Sequence, residues 1–222
     1  MASTQEKNTA PGTQQLLDKF AHPADCLAAW LMLEGAEVFA GAKPANLLNI
    51  RNHTRACGRN LYQLWLQHGN QLLELHNLQG MILTNRGSSL LLLLYRRTAV
   101  EELLQQPAVQ RMLHKAGYPA ESDLQSALSL LAQRCAGSDF PHEIGIFLGY
   151  PLKDVAGFMG LCRLPFSCQG PWKIYGATAT SLNLAALFKQ CRREMAERLN
   201  RYAISCQEQQ PLLAKYCCAS YN

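Results

Sequence analysis

Charge is scarce in this chain. Of its 222 residues, 17% are Asp, Glu, Lys or Arg and 48% are hydrophobic, whereas soluble domains usually carry roughly 25% charged residues. A chain so poor in charge buries much of itself or covers apolar surface with a partner. Long apolar runs are missing too. The longest, Cys26–Leu33 and Leu90–Tyr95, fall far short of the ~20 residues of a membrane-crossing helix. Met1 to Thr13 is polar and reads as lacking an export signal. The nine cysteines (26, 57, 135, 162, 168, 191, 206, 217 and 218) are odd in number, with no Cys-x-x-Cys pair. Free thiols in a reducing cytoplasm are the expectation.

Familiar catalytic signatures are absent as well. There is no Gly-x-Ser-x-Gly, no phosphate-binding glycine loop and no complete metal motif. The formal net charge of +5 is mild for a nucleic-acid binder. Its densest cluster, Lys189, Arg192, Arg193, Arg198 and Arg201, is interrupted by Glu194 and Glu197 and reads as a mixed-charge helix surface.

The elements that remain predict an α+β domain, a small and mainly antiparallel sheet covered by helices. Residues 1–13 and 205–222 read as poorly ordered tails around a single domain over 14–204. Helices are expected over Gln14–Ala21, Ala24–Phe39 (weakened at Gly35) and Cys57–His68, and a short strand over Asn46–Ile50. Gly80–Thr84 and Ser89–Arg96, joined by a turn at Asn85-Arg86-Gly87-Ser88, form the clearest hairpin. The unbroken Leu90–Leu94 run predicts a strand covered on both faces. Thr98 with Glu101 reads as a capping box, and Ser122 as the cap of a helix reaching Cys135. Cys162–Gly170 reads as a loop, Trp172–Tyr175 as a short strand, and a long helix follows to Tyr202.

The most specialised stretch is Phe140-Pro141-His142-Glu143-Ile144-Gly145-Ile146-Phe147-Leu148-Gly149-Tyr150-Pro151. Pro141 suits a first helical turn, with Glu143 beside the positive end of the dipole. Gly145 and Gly149 share one face, which expects a close neighbour, best supplied by Cys168–Gly176. His142 near a helix start favours neutral imidazole, able to ligate a metal or take a proton, or it simply fills a hydrogen-bonded slot. His142-Glu143 opens like the zinc-protease His-Glu-x-x-His, but Ile146 stands where the second histidine belongs, so that reading fails. Residues 152–161 offer mainly Lys153, Asp154 and apolar groups, which argues against a DNA-reading helix.

The second unusual patch is Cys168-Gln169-Gly170-Pro171-Trp172-Lys173-Ile174-Tyr175-Gly176. Cys168 is a candidate nucleophile with His142 as base, a candidate soft ligand for iron or haem, or a buried small hydrophobe.

Pro-His-Glu-Ile-Gly-x-Phe-Leu-Gly-Tyr-Pro-x-x-Asp-Val-x-Gly-Phe from Pro141 to Phe158 and Cys-x-Gly-x-Trp-Lys-x-Tyr-Gly from Cys168 to Gly176 resemble an uncharacterised family of bacterial proteins, found largely in anaerobes. Gly41-x-Lys43-Pro44-Ala45-Asn46-Leu47 adds to the likeness, which spans most of residues 30–200. Family members often carry His-Cys where this chain has Glu34-Gly35. The resemblance implies no activity.

Three functional readings follow. The first is a small-ligand or cofactor binder using Lys43, His142, Glu143, Gly145, Gly149, Tyr150, Trp172, Lys173 and Tyr175, with the lysines for an anionic group and Trp172 and Tyr175 for an aromatic one. The second is a thiol-dependent enzyme using Cys168 and His142, and the third a protein-interaction module or homodimer.

Overall fold

The structure, a computed structural model, describes residues 11–120 and 122–205. The expected tails at 1–10 and 206–222 lie outside those residues. The chain begins with α1 (Pro11–Asp18), α2 (Pro23–Glu34) and a one-turn α3 (Ala36–Phe39), then β1 (Ala45–Arg51) and α4 (Leu61–Leu75). The hairpin β2 (Gln79–Asn85) and β3 (Ser89–Tyr95) leads to α5 (Arg97–Leu104), α6 (Pro107–Lys115) and α7 (Leu124–Cys135). The rest is α8 (Ile144–Phe147), α9 (Leu152–Phe158), a second hairpin β4 (Phe166–Gln169) and β5 (Lys173–Tyr175), and α10 (Ala179–Ser205). This is the α+β architecture expected.

The main sheet is antiparallel in the order β1-β3-β2, with Leu92 of β3 opposite both Leu48 and Ile82. A strand's side chains alternate between faces, and here both faces are dry. Leu90, Leu92 and Leu94 enter a core built with α1, α2, α4 and the C-terminal half of α10, including Leu27, Trp65, Leu72 and Leu199. Leu93 and Tyr95 enter a second core with α5 to α9, including Val100, Leu131, Ile146 and Phe147. The unbroken leucine run is therefore the mark of a central strand between two helical layers.

Several boundaries differ from expectation for local reasons. The helix expected from Cys57 starts at Leu61, because Gly58 has φ +78° and Asn60 caps by accepting from the Tyr62 and Gln63 N–H groups. The Thr98 box does not form. Arg96 is the N-cap instead, its guanidinium pinned at 2.7 and 2.9 Å to the carbonyls of Val38 and Phe39, and Glu101 pairs with Arg97. Asp123, not Ser122, caps α7 by accepting from the Ser126 N–H at 2.7 Å. Gly35 divides the expected long helix into α2 and α3. The segment read as a loop from Cys162 contains β4, paired with β5.

Candidate functional site

Both singled-out stretches lie on the α8–α9 side of the second core and meet the N-terminal half of α10. The helix expected from Pro141 is shorter than its composition suggests. Pro141 to Glu143 form a turn, with Ile144 N–H donating to the Pro141 carbonyl at 3.3 Å, and only Ile144–Phe147 is helical. Gly149, at φ +71°, ends it as a Schellman motif, with Tyr150 N–H bonded to the Gly145 carbonyl and Gly149 N–H to that of Ile146. The glycines' neighbours are not the Cys168–Gly176 segment. A Cβ on Gly145 would lie 3.0 Å from Val155, and one on Gly149 2.6 Å from Pro44 Cδ. Gly149→Ala is expected to cost about 1–3 kcal/mol, combining the left-handed backbone penalty with overpacking against a rigid ring. Urea denaturation checks this, and an unchanged midpoint would refute the contact.

Glu143 does not serve a dipole, since α8 is one turn long. It is buried, with Oε1 2.6 Å from Arg134 Nε, although that N–H is not directed at it, and it accepts from the Tyr118 hydroxyl at 3.3 Å. Burial and the Glu143 charge push the Tyr118 phenol well up, so it stays protonated and donating. Glu143 thus ties α7 and the Tyr118 loop to α8.

Asp154 gathers the second stretch. One carboxylate oxygen accepts from Trp172 Nε1 at 2.8 Å and Ser181 Oγ at 2.6 Å. The other accepts from the Tyr175 backbone N–H at 2.9 Å and Lys153 Nζ at 2.7 Å. Burial raises the Asp154 pKa, but the donors from Lys153, Ser181, Tyr175 and Trp172 outweigh it and hold the carboxyl below its ordinary value. One buried side chain thereby joins α9, β5 and the start of α10.

Lys43 is buried where the motifs meet. Its Nζ donates to Asn46 Oδ1 at 2.9 Å and lies 5.1 Å from the Tyr150 ring centroid and 5.2 Å from that of Phe188. Tyr150 stacks on Trp172 with centroids 4.5 Å apart, and Trp172 meets Phe188 at 6.0 Å. Burial and then the Glu37 charge push the Tyr150 phenol up, opposed by Arg192. Asn46 Nδ2 donates to the Glu34 carbonyl, and Glu37 pairs with Arg192 Nε at 2.6 Å. The Gly41-to-Leu47 element is thus a buried joint between β1, α3 and α10. Glu34 belongs to it through Arg192 Nη1, 3.9 Å away. Gly35 has no room for the cysteine of the resembling proteins, because a Cβ there would meet Leu94 Cδ2 at 2.4 Å and the Leu31 carbonyl at 2.9 Å. Gly35→Cys is expected to lower stability by about 1–3 kcal/mol, read as a shift in the thermal midpoint.

The structure therefore brings Lys43, Tyr150 and Trp172 together and packs them on one another. His142, Lys173 and Tyr175 sit differently. The exposed His142 ring packs edge-on to Phe158 at 4.7 Å, Lys173 Nζ lies 5.3 Å from the same ring, and Tyr175 meets Phe166 at 6.0 Å. Cys168 is half-buried against the Trp172, Ile174 and Phe188 cluster, and among the described residues no hydrogen bond links it to His142. Nor, among those residues, do three His, Cys, Asp or Glu side chains gather as a metal ion requires. A cleft of about 380 Å3 lies elsewhere, between α5 and the start of α7, lined by residues such as Glu101, Gln105 and Asp123.

Sequence reasoning did not reach Arg134, Tyr118, Arg192 or Phe188, whose partners are distant in the chain and leave no local signal. Asp154 had one: a lone carboxylate inside an apolar motif. Among the described residues no helix is long and apolar enough to cross a membrane. No curated protein and no solved structure matches the chain. A family model covers residues 31–207, taking in all three quoted elements, and the chain belongs to that family, described as a protein of unknown function (DUF3793).

Proposed function

We propose that this chain is a binding protein whose recognition surface is the face shared by α9, the β4–β5 hairpin and the turn before α8. The observation that carries this reading is a division of labour within the motifs. Their buried polar side chains, Lys43, Glu143 and Asp154, are engaged with structural partners. Their outward side is apolar, with Phe158 42%, Leu161 37%, Leu164 38% and Phe166 55% exposed. These groups are neighbours. Tyr175 contacts Phe166, a Cβ at Gly176 would lie 3.3 Å from Leu164, and one at Gly157 would meet Tyr175. Contiguous exposed apolar surface of this kind marks an interaction site.

The binding reading from sequence is kept, but its surface moves from the seam between the two stretches to the face they share. Six described cysteines are free, which supports residence in a reducing compartment such as the cytoplasm. An apolar anionic dye, 1-anilinonaphthalene-8-sulfonate, is expected to fluoresce on this face and to lose most of that signal in Phe158→Ser/Phe166→Ser. Both side chains are exposed, so that variant is expected to fold, as circular dichroism would show. A signal indifferent to the substitutions would sink the reading.

A further inference from the structure

The partner class can be read from the same face, and this inference rests on the reading just given. From Val155 to Arg193 the sequence contains no Asp or Glu, whereas Arg163 and Lys173 are exposed beside the apolar groups. A second copy would bring like charges together, so the face is not suited to self-association. The β4–β5 hairpin adds a directional cue. The outer edge of β5 is closed, since Tyr175 N–H donates to Asp154 and the Tyr175 carbonyl accepts from Lys153 Nζ at 2.8 Å. The outer edge of β4 has no strand beside it, because the sheet has two strands. An open edge bordered by exposed Phe166 and Leu164 is a template for strand addition. A lipid surface would leave those backbone groups without partners, a costly arrangement in an apolar medium, so a polypeptide suits the face better than an anionic membrane.

We infer that the face binds an extended acidic segment of a partner polypeptide, which adds as a strand along β4, places apolar side chains on Phe158, Leu164 and Phe166, and sets carboxylates against Arg163 and Lys173.

The test uses the full chain and a short capped peptide alternating Glu with Val and Phe. Fluorescence anisotropy is expected to show binding that weakens with salt, while the same peptide with Lys for Glu does not bind. Arg163→Glu/Lys173→Glu is expected to weaken the acidic peptide at least about fivefold, the order expected for two surface ion pairs. Alternate N–H groups of an added strand face the edge, so of two peptides N-methylated at odd or at even positions, one should bind and the other should not. Equal binding of acidic and basic peptides, undiminished binding of both N-methylated forms, or a preference for phosphatidylserine vesicles over the peptide would each overturn the inference. If the dye still depends on Phe158 and Phe166 while the acidic peptide shows no preference, the binding face stands and the acidic partner falls. If the dye is indifferent, both fall.

Discussion

Asp154→Ala is expected to destabilise the protein by about 3–5 kcal/mol, the range for removing one partner of a buried charged network. The loss has identifiable parts. The Trp172 indole N–H, the Ser181 hydroxyl and the Tyr175 backbone N–H all lose their acceptor at once, and unsatisfied buried donors cost about 1–3 kcal/mol each before relaxation. Lys153 is part-exposed and turns to water more readily. At roughly 2–4 °C per kcal/mol for a chain of this size, the thermal midpoint should fall by roughly 10 °C. Asp154→Asn keeps the shape and one acceptor oxygen, so its loss should be smaller. A midpoint unchanged in Asp154→Ala would show that the network does not hold the hairpin to α10.

The same residue sets a pH dependence with a definite sign. The folded-state pKa of Asp154 is depressed, so its contribution is fully present above the ordinary aspartate value of about 3.9 and is lost as pH falls through the lower folded value. Acid titration of stability should show Asp154→Asn converging on the wild type below that window. Parallel curves throughout would contradict the linkage.

The second large effect is expected at the Arg134–Glu143 pair, where the order of losses is the informative result. Glu143 is 1% exposed in its side chain and Arg134 39%. Arg134→Ala strands a buried carboxylate, with Tyr118 its remaining hydrogen-bond donor among the described residues, and should cost about 3–5 kcal/mol. Glu143→Gln leaves Arg134 able to reach water and preserves an acceptor for Tyr118, so it should cost less, about 1–3 kcal/mol. A double-mutant cycle in urea would read the coupling directly. Equal, small losses would mean that the pair is not what ties α7 to α8.

Much of the fold was legible because it follows local rules. The Leu90–Leu94 run could only be a strand buried on both faces, and Leu90, Leu92, Leu94 and Leu93 do divide between two cores. The hairpin turn was legible because Gly87 supplies the positive φ the chain needs there. What misled was composition read without competitors. Thr98 and Ser122 are good caps in isolation, but Arg96 is held by two carbonyls of the α3 turn, and Asp123 reaches the Ser126 N–H first. Pro141 suits a helix start, yet the chain there forms a turn that directs Glu143 inward to Arg134 and leaves His142 outside.

The sequence by itself determined the family, the α+β class, the central strand and the three elements that carry the family likeness. Those features depend on side-chain periodicity and on glycines and prolines whose preferences act over a few residues. Only the tertiary structure decided what the elements do. Lys43 meets Asn46, Tyr150 and Phe188, and Asp154 meets Trp172 and Ser181, through chain separations that no local pattern encodes. A charged side chain shows the same letter whether it faces water or a buried partner. The fold's topology turned the motifs' charges inward and left Phe158, Leu164 and Phe166 on the outside.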